Sequence, residues 1–142
     1  MNFYLKTALA MGVVIVGAVL MIVYLQGADE RAIQKALDDA VEAANRFDAD
    51  GTVAILSKKY DKRGEDYEKL AQRVRGAVDD RAYRKVTLTS SEIAVDGSAA
   101  TVELTLKADL GMGTFPMGFR VWLAREGGVW RVTGYEEREI LR

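Results

Sequence analysis

The chain has 142 residues, with 20 Lys and Arg against 21 Asp and Glu and a formal net charge of −1. Acids and bases are mixed along its length, so there is no broad basic footprint for a nucleic acid. It has no cysteine, which excludes disulfides and thiolate metal sites, and no histidine, which excludes Ser-His-Asp and Cys-His catalysis and most zinc sites.

The first element is the run Ala8–Leu25, eighteen residues without a charge. As a helix it would be about 27 Å long, close to the hydrocarbon core of a bilayer, and Phe3–Leu5 can extend it. A helix closes its own backbone hydrogen bonds, which lipid requires. The run reads as one transmembrane anchor. A cleaved signal peptide is the competing reading. Against it, the run exceeds the ~7–15 apolar residues of a signal core, Lys6 is the lone side-chain cation before it, and Gln26-Gly27-Ala28 is a poor cleavage site. Lys6 on the short side faces Arg31 and Lys35 on the long side, so charge is nearly balanced. The short leader favours a cytoplasmic N-terminus with the remainder outside the cytoplasm, periplasmic if the source is bacterial. Ala8 and Gly12 form one small-xxx-small pair on which a second helix could pack.

Residues 1–27 are therefore expected to be leader and anchor, and 28–142 one domain with its own core. Asp29 reads as an N-cap. Ile33, Leu37, Ala40, Val41 and Ala44 form the apolar stripe of an amphipathic helix running to about Phe47, and nothing between the anchor and this helix forces a break. Asp48-Ala-Asp-Gly51 resembles the start of a calcium loop but lacks its later ligands and closing Glu. The simpler reading is that Asp50 caps a short helix from Thr52 to Ser57. Lys58, Lys59, Lys62 and Arg63 surround Tyr60 in the following break. Tyr67, Leu70, Ala71, Val74 and Val78 mark a third helix over Glu65–Val78.

From Arg84 the period becomes two. Asp96-Gly97 and Gly127-Gly128 are two-residue hairpin signals, which predict four antiparallel strands at Arg84–Val95, Ser98–Asp109, Met117–Glu126 and Val129–Glu137. Pairing back from Asp96-Gly97 sets Ile93 against Ala100 and Ser91 against Val102. One extra residue at Ser90-Ser91 is then needed to bring Leu88 to Leu104 and Val86 to Leu106, so a β-bulge is expected there. A bulged, curved sheet wrapped on helices makes a cone. In the last hairpin Leu123 is expected opposite Val132, Trp122 opposite Thr133 and Arg120 opposite Tyr135. That puts Arg120, Trp122, Arg131, Thr133 and Tyr135 on the face away from the helices, a composition that fits either a protein interface or a stabilising aromatic ladder.

The order of one long helix, two shorter ones and a curved meander resembles the nuclear-transport-factor-two-like superfamily, the cystatin-like α+β cone. Phe47-Asp-Ala-Asp-Gly-Thr-Val-Ala-Ile-Leu-Ser-Lys-Lys-Tyr60 is similar to that family's helix-to-helix segment. Val129-Trp-Arg-Val-Thr-Gly-Tyr135 is similar to its final strand. Over Asp29–Glu137 the resemblance implies an α+β fold of three helices packed on a curved four-stranded antiparallel sheet, and the N-terminal transmembrane helix read from Ala8–Leu25 precedes it. The superfamily holds ketosteroid isomerase, scytalone dehydratase and limonene epoxide hydrolase beside many non-catalytic domains, so fold does not choose the function. The dehydratase pattern needs the histidine this chain lacks. Tyr60, Asp61, Tyr83 and Glu92 are placed near the mouth of such a cone, but none aligns with a catalytic position. Membrane-anchored cones also resemble, in architecture, the inner-membrane assembly subunits of type IV secretion systems.

Three functions are weighed. The first and favoured one is a non-catalytic single-pass subunit that binds a protein partner or a second copy through the Trp122/Tyr135 face. The second is a cone that binds a small apolar ligand in an apolar cavity with a few inward polar groups. The third is an acid–base enzyme, which requires Asp61 or Glu92 buried in that cavity. No cofactor, metal or nucleic acid is expected.

Overall fold

The computed structural model describes residues 3–140, with side chains described from Gly12 onward except at positions 19 and 21–26. Helix α1 runs unbroken through Phe3–Asn45, 43 residues. The sequence segment taken as anchor and the first helix of the domain are thus one element, crossing the expected boundary at Gly27, and the described residues form three helices rather than an anchor plus three. Asp29 is not an N-cap. A single Gly27 costs the helix only about 1 kcal/mol relative to Ala, whereas a new helix pays for a nucleus. The Asp29 carboxylate instead accepts from Arg125 at 3.1 Å, tying the helix to the sheet. Among the described residues no helical stretch is long and apolar enough to cross a membrane. Much of Ala8–Leu25 lies outside the described side chains, and those described (Val13, Val14, Ile15, Val16 and Leu20) are 58–72% exposed.

A left-handed Phe47 (φ 56°) ends α1, and α2 follows at Ala49–Val53. Its cap is Asp48, which accepts from the Gly51 N–H at 3.0 Å, rather than Asp50. The helix starts three residues earlier than expected because Asp48 has the extended backbone a cap needs. Residues Ile55–Ser57 then run beside the last strand, with Val132 donating to Ile55 (2.7 Å) and Ser57 donating back to Val132 (2.8 Å). Next comes a two-stranded ribbon that the sequence pattern did not signal, β1 (Asp61–Lys62) and β2 (Glu65–Asp66), turned by left-handed Arg63 and Gly64. Asp66 caps α3 (Tyr67–Asp79) by accepting from the Lys69 N–H at 2.9 Å.

The main sheet is an antiparallel meander of β3 (Lys85–Asp96), β4 (Ala99–Asp109), β5 (Thr114–Glu126) and β6 (Val129–Arg138). Its first turn is Gly97-Ser98, so Ile93 pairs with Val102 and Val95 with Ala100. The expected pairs Ile93/Ala100 and Ser91/Val102 are each displaced by two, a slip that keeps every side chain on its expected face. The extra residue is Thr89, between Leu88 and Ser90, next to the expected bulge position. Beyond it Leu88 meets Leu106 and Val86 meets Ala108.

The last hairpin turns at Gly127-Gly128 as expected, and Leu123 meets Val132. There the expected register fails. A second shift at Thr133 pairs Trp122 with Gly134, Val121 with Tyr135 and Arg120 with Glu136. Gly134 is the cause: without a side chain it lets the strand bulge and lets Lys62 lie across it, since a Cβ there would sit 2.7 Å from Lys62 Cδ. One extra residue inverts the faces beyond it, so Tyr135 points to the helices.

The core lies between the sheet's inner face and the helices. Ile33 and Leu37 of α1 and Leu70 of α3 meet Val102, Leu104, Val121, Leu123, Trp130 and Val132. Asn45 fastens α1 to β3, donating to the Val86 carbonyl (2.8 Å) and accepting from its N–H (2.7 Å), while Ser91 donates to Gln34 (2.6 Å).

Candidate functional site

Small residues on the helices leave space against the middle of the sheet. Ala40 and Val41 of α1 and Val74 and Ala77 of α3 face Leu88, Leu104, Leu106, Phe119 and Val121 across a cavity of about 460 Å³. Ile55, Leu56 and Val132 close one side. That volume lies within the ~300–1,000 Å³ of typical small-molecule sites.

Three polar side chains line it: Arg73, Tyr135 and Glu137. Tyr135 sits on the inner face because of the Thr133 bulge, with its ring edge-on to Phe119 (centroids 6.2 Å apart). Its hydroxyl oxygen accepts from Arg73, and Arg73 also donates to Glu65 at 2.8 Å. The bond to Tyr135, then the charge of Glu65, hold the Arg73 guanidinium above its ordinary pKa, so it stays charged. Glu137 is two residues further along β6 on the same face, and among the described residues it has no hydrogen bond or ion pair.

The same three side chains border a second, polar chamber of about 420 Å³, completed by Tyr60, Lys62, Arg63, Glu65 and Glu136. Tyr60 is 4% exposed. Burial, then the neighbouring Tyr135 and Glu65, push its phenol above the usual range and keep it neutral. Arg73, Tyr135 and Glu137 thus border both the apolar groove and the polar pocket beside the β1–β2 ribbon.

Of the residues placed at the mouth from sequence, only Tyr60 is part of this arrangement. Asp61 is exposed on the ribbon. Tyr83 is at the far end of α1, donating to the Ala44 carbonyl (2.6 Å) and stacked on Phe47 (5.4 Å), with burial raising its pKa. Glu92 is exposed on the outer face, opposite Glu103. Neither carboxylate on which acid–base catalysis was expected to rest lines the apolar chamber. Among the described residues no group of three acidic side chains is placed to hold a metal ion.

The outer face differs from expectation in the same way. Arg120, Trp122 and Arg131 remain there, Thr133 is the bulge residue, and Tyr135 has left it. The remaining groups are engaged within the chain. Lys62 Nζ lies 3.4 Å from the centre of the Trp122 ring. Arg120 bridges Glu103 (2.9 Å) and Glu136 (3.3 Å), and Arg138 also pairs with Glu103 (2.5 Å). Hydrogen bonds from Arg120, then Arg138, hold the Glu103 carboxyl below the usual range. Arg131 donates to the Ala54 carbonyl (2.5 Å) and Thr133 to the Trp122 carbonyl (3.3 Å). In the anchor pair, Ala8 lies outside the described side chains and Gly12 is exposed, with nothing within 4 Å of a Cβ built there.

Arg73 and Glu137 are functional candidates that the sequence reading missed. The available signal was Gly134: an isolated Gly inside a strand marks a bulge, and a bulge there turns both Tyr135 and Glu137 inward.

No sequence-family model and no curated protein matches the chain. Solved structures do. An NTF-2 like protein of unknown function from Shewanella oneidensis MR-1 has a TM-score of 0.66 at 17% identity, over 77% of this chain and 98% of that one. An NTF2-like protein of unknown function from Pseudomonas putida KT2440 has a TM-score of 0.67 at 15% identity, over 78% and 86%. An NTF2-like protein with a cystatin-like fold from Novosphingobium aromaticivorans has a TM-score of 0.62 at 15% identity, over 83% and 86%. At these identities the likeness shows the fold alone: the domain has an α+β fold similar to that of these NTF2-like, cystatin-like structures.

Proposed function

We propose that this chain is a non-catalytic, single-pass membrane protein whose cone binds a small apolar molecule. The N-terminus is assigned to the cytoplasm and the domain to the other side of the membrane. The observation that carries the reading is the 460 Å³ chamber, walled by aliphatic and aromatic side chains with polar groups only at its rim. The groove is open to solvent, so an apolar guest seated in it takes its apolar walls out of water. The anchor rests on the uncharged run Ala8–Leu25 and on its continuity with the domain helix.

Docking of a protein partner or second copy through the outer face is the second reading, supported by the half-buried Trp122 among arginines. It ranks below the first because Trp122, Arg120 and Arg131 already have intrachain partners.

The test uses the full chain in lipid nanodiscs, titrated with naphthalene beside a Leu106→Trp variant whose indole intrudes on the middle of the apolar groove. Saturable binding to the parent and its loss in the variant is the expected result; equal binding by both refutes the cavity reading. Because the chain lacks cysteine, single cysteines at Asn2 and Ser98 labelled with an impermeant maleimide in intact cells report the topology. Labelling of Ser98→Cys alone is expected, and labelling of Asn2→Cys alone overturns the orientation.

A further inference from the structure

We infer that the tip of the β4–β5 hairpin is a lipid-attachment site, inserting Leu110, Met112 and Phe115 into the interface of an anionic bilayer at the end of the domain remote from the projecting part of α1. Ten successive residues, Leu110–Phe119, carry no charge. The first four project past the rest of the sheet, because β3 begins opposite Asp109 and β6 ends opposite Gly118. The Leu110 N–H closes the tip by donating to the Gly113 carbonyl at 3.0 Å, and Gly111 (φ 85°) supplies the left-handed turn. Met112 is thereby held out in solvent, 85% exposed, with Leu110, Phe115 and Met117 also exposed. The Phe115 ring lies 3.7 Å from where a Cβ on Gly113 would stand, so the apolar surface is continuous from tip to strand.

The size of this patch favours lipid over protein. At ~200 Å² for a large side chain, the exposed fractions amount to roughly 400 Å². A stable protein partner covers about 800 Å². A few apolar side chains pushed past the headgroups suffice for interfacial attachment. The charges beside the tip fit the same surface. The Arg84 side chain lies against Gly111, its Nε 3.1 Å from a Cβ built there. Lys85 stands opposite Asp109, and Lys107 opposite Pro116. None of these three cations has an ion pair among the described residues. Asp109 is used within the turn, accepting from the Gly111 N–H at 2.9 Å. Counting the adjoining end of α3, Arg81, Arg84, Lys85 and Lys107 outnumber Asp79, Asp80 and Asp109 by one. That surplus favours anionic headgroups, while the apolar tip supplies most of the attachment.

Position decides which bilayer is met. Asp29, beside Arg125, and Asn45, bonded to Val86, mark the two ends of the packed part of α1, about 24 Å apart at ~1.5 Å per residue. Val86 pairs with Ala108, so the tip lies beyond the Asn45 end. The last step rests on the single-pass reading above: with α1 in one membrane, the tip meets a second, and the cone bridges two lipid surfaces.

The experiment mixes the full chain in nanodiscs with vesicles of phosphatidylglycerol and phosphatidylcholine and measures co-flotation, with empty nanodiscs as the blank. Loading into the nanodiscs, read beforehand by gel filtration, tests the anchor separately. The parent is expected to float with the mixed vesicles, and less with phosphatidylcholine alone. Met112→Asp is expected to cut the floated fraction about tenfold or more, with a melting point matching the parent's to show that the fold is kept. Met112→Leu, which keeps the tip apolar, is expected to float like the parent. Met112→Asp floating as well as the parent overturns the tip as the contact. A loaded parent that floats with neither vesicle overturns lipid as the occupant and leaves the tip to a protein partner. Equal flotation with both vesicles overturns the anionic preference. A chain that does not load overturns the anchor and the bridging, while Met112-dependent flotation of that chain still supports the tip.

Discussion

Val74→Phe tests whether the chamber is a standing void. Val74 is half-buried on α3 and faces the cavity across from Leu106 and Phe119. In a close-packed core the larger ring would force shifts costing about 1–3 kcal/mol. In an open chamber it enters empty space and buries on the order of 50 Å² more apolar surface, worth about 1.2 kcal/mol at ~25 cal/mol per Å². Helix propensity is nearly the same for the two residues, so the sign is set by the space. For a domain of this size the gain corresponds to a rise of roughly 3–5 °C in Tm. The assay is a thermal melt of the full chain in nanodiscs, followed by fluorescence of its two tryptophans, Trp122 and the core residue Trp130, which is 4% exposed. A melting point lowered by the substitution would refute the open chamber and, with it, the reading of the site.

Gly51→Ala should destabilise although Ala is the better helix former. A Cβ at Gly51 would sit 2.6 Å from Oδ2 of the capping Asp48 carboxylate and 3.0 Å from the Ala43 Cβ, so the carboxylate must shift and the cap weakens at a cost of about 1 kcal/mol. Urea titration of parent and variant checks this, and a stabilised variant contradicts it. Glu103 gives a pH signature. Its folded-state pKa lies below its ordinary value of 4.5, so its contribution is fully present above that value and is lost as pH falls through the folded pKa. Below pH 4.5 the parent should therefore lose stability more steeply than Glu103→Gln, and parallel acid titrations of the two would dismiss the Arg120–Glu103–Arg138 network as a contributor.

The face assignments show where sequence reasoning holds and where it breaks. Period-two alternation survives any even slip, so Ile93, Val102 and Leu123 were placed inward correctly even though the first turn is Gly97-Ser98. Asp96-Gly97 reads as a turn with two left-handed residues. In the structure only Gly97 (φ 62°) is left-handed there, whereas both Gly127 and Gly128 are. The β3 bulge could be inferred because an unshifted register sets Leu88 and Val86 against polar residues. The β6 bulge leaves no such mismatch: Trp122 opposite Thr133 and Arg120 opposite Tyr135 look acceptable on a solvent face. Cross-strand polarity was therefore silent at the position that decides the site. The chamber was not legible at all, since an empty space has no residues of its own and arises from the small side chains of Ala40 and Ala77 meeting a bent sheet.

The uninterrupted α1 has a mechanical consequence. Its first 26 residues, Phe3–Ala28, project about 39 Å before the Asp29–Arg125 tie, without a joint at which the domain could swivel. The azimuth of the cone is then locked to the azimuth of the projecting shaft. One residue inserted after Gln26 would turn the whole cone by about 100° and lift it by about 1.5 Å, whereas seven would return it to within about 20° of its original bearing. Whatever surrounds the shaft thereby dictates which way the open side of the chamber faces.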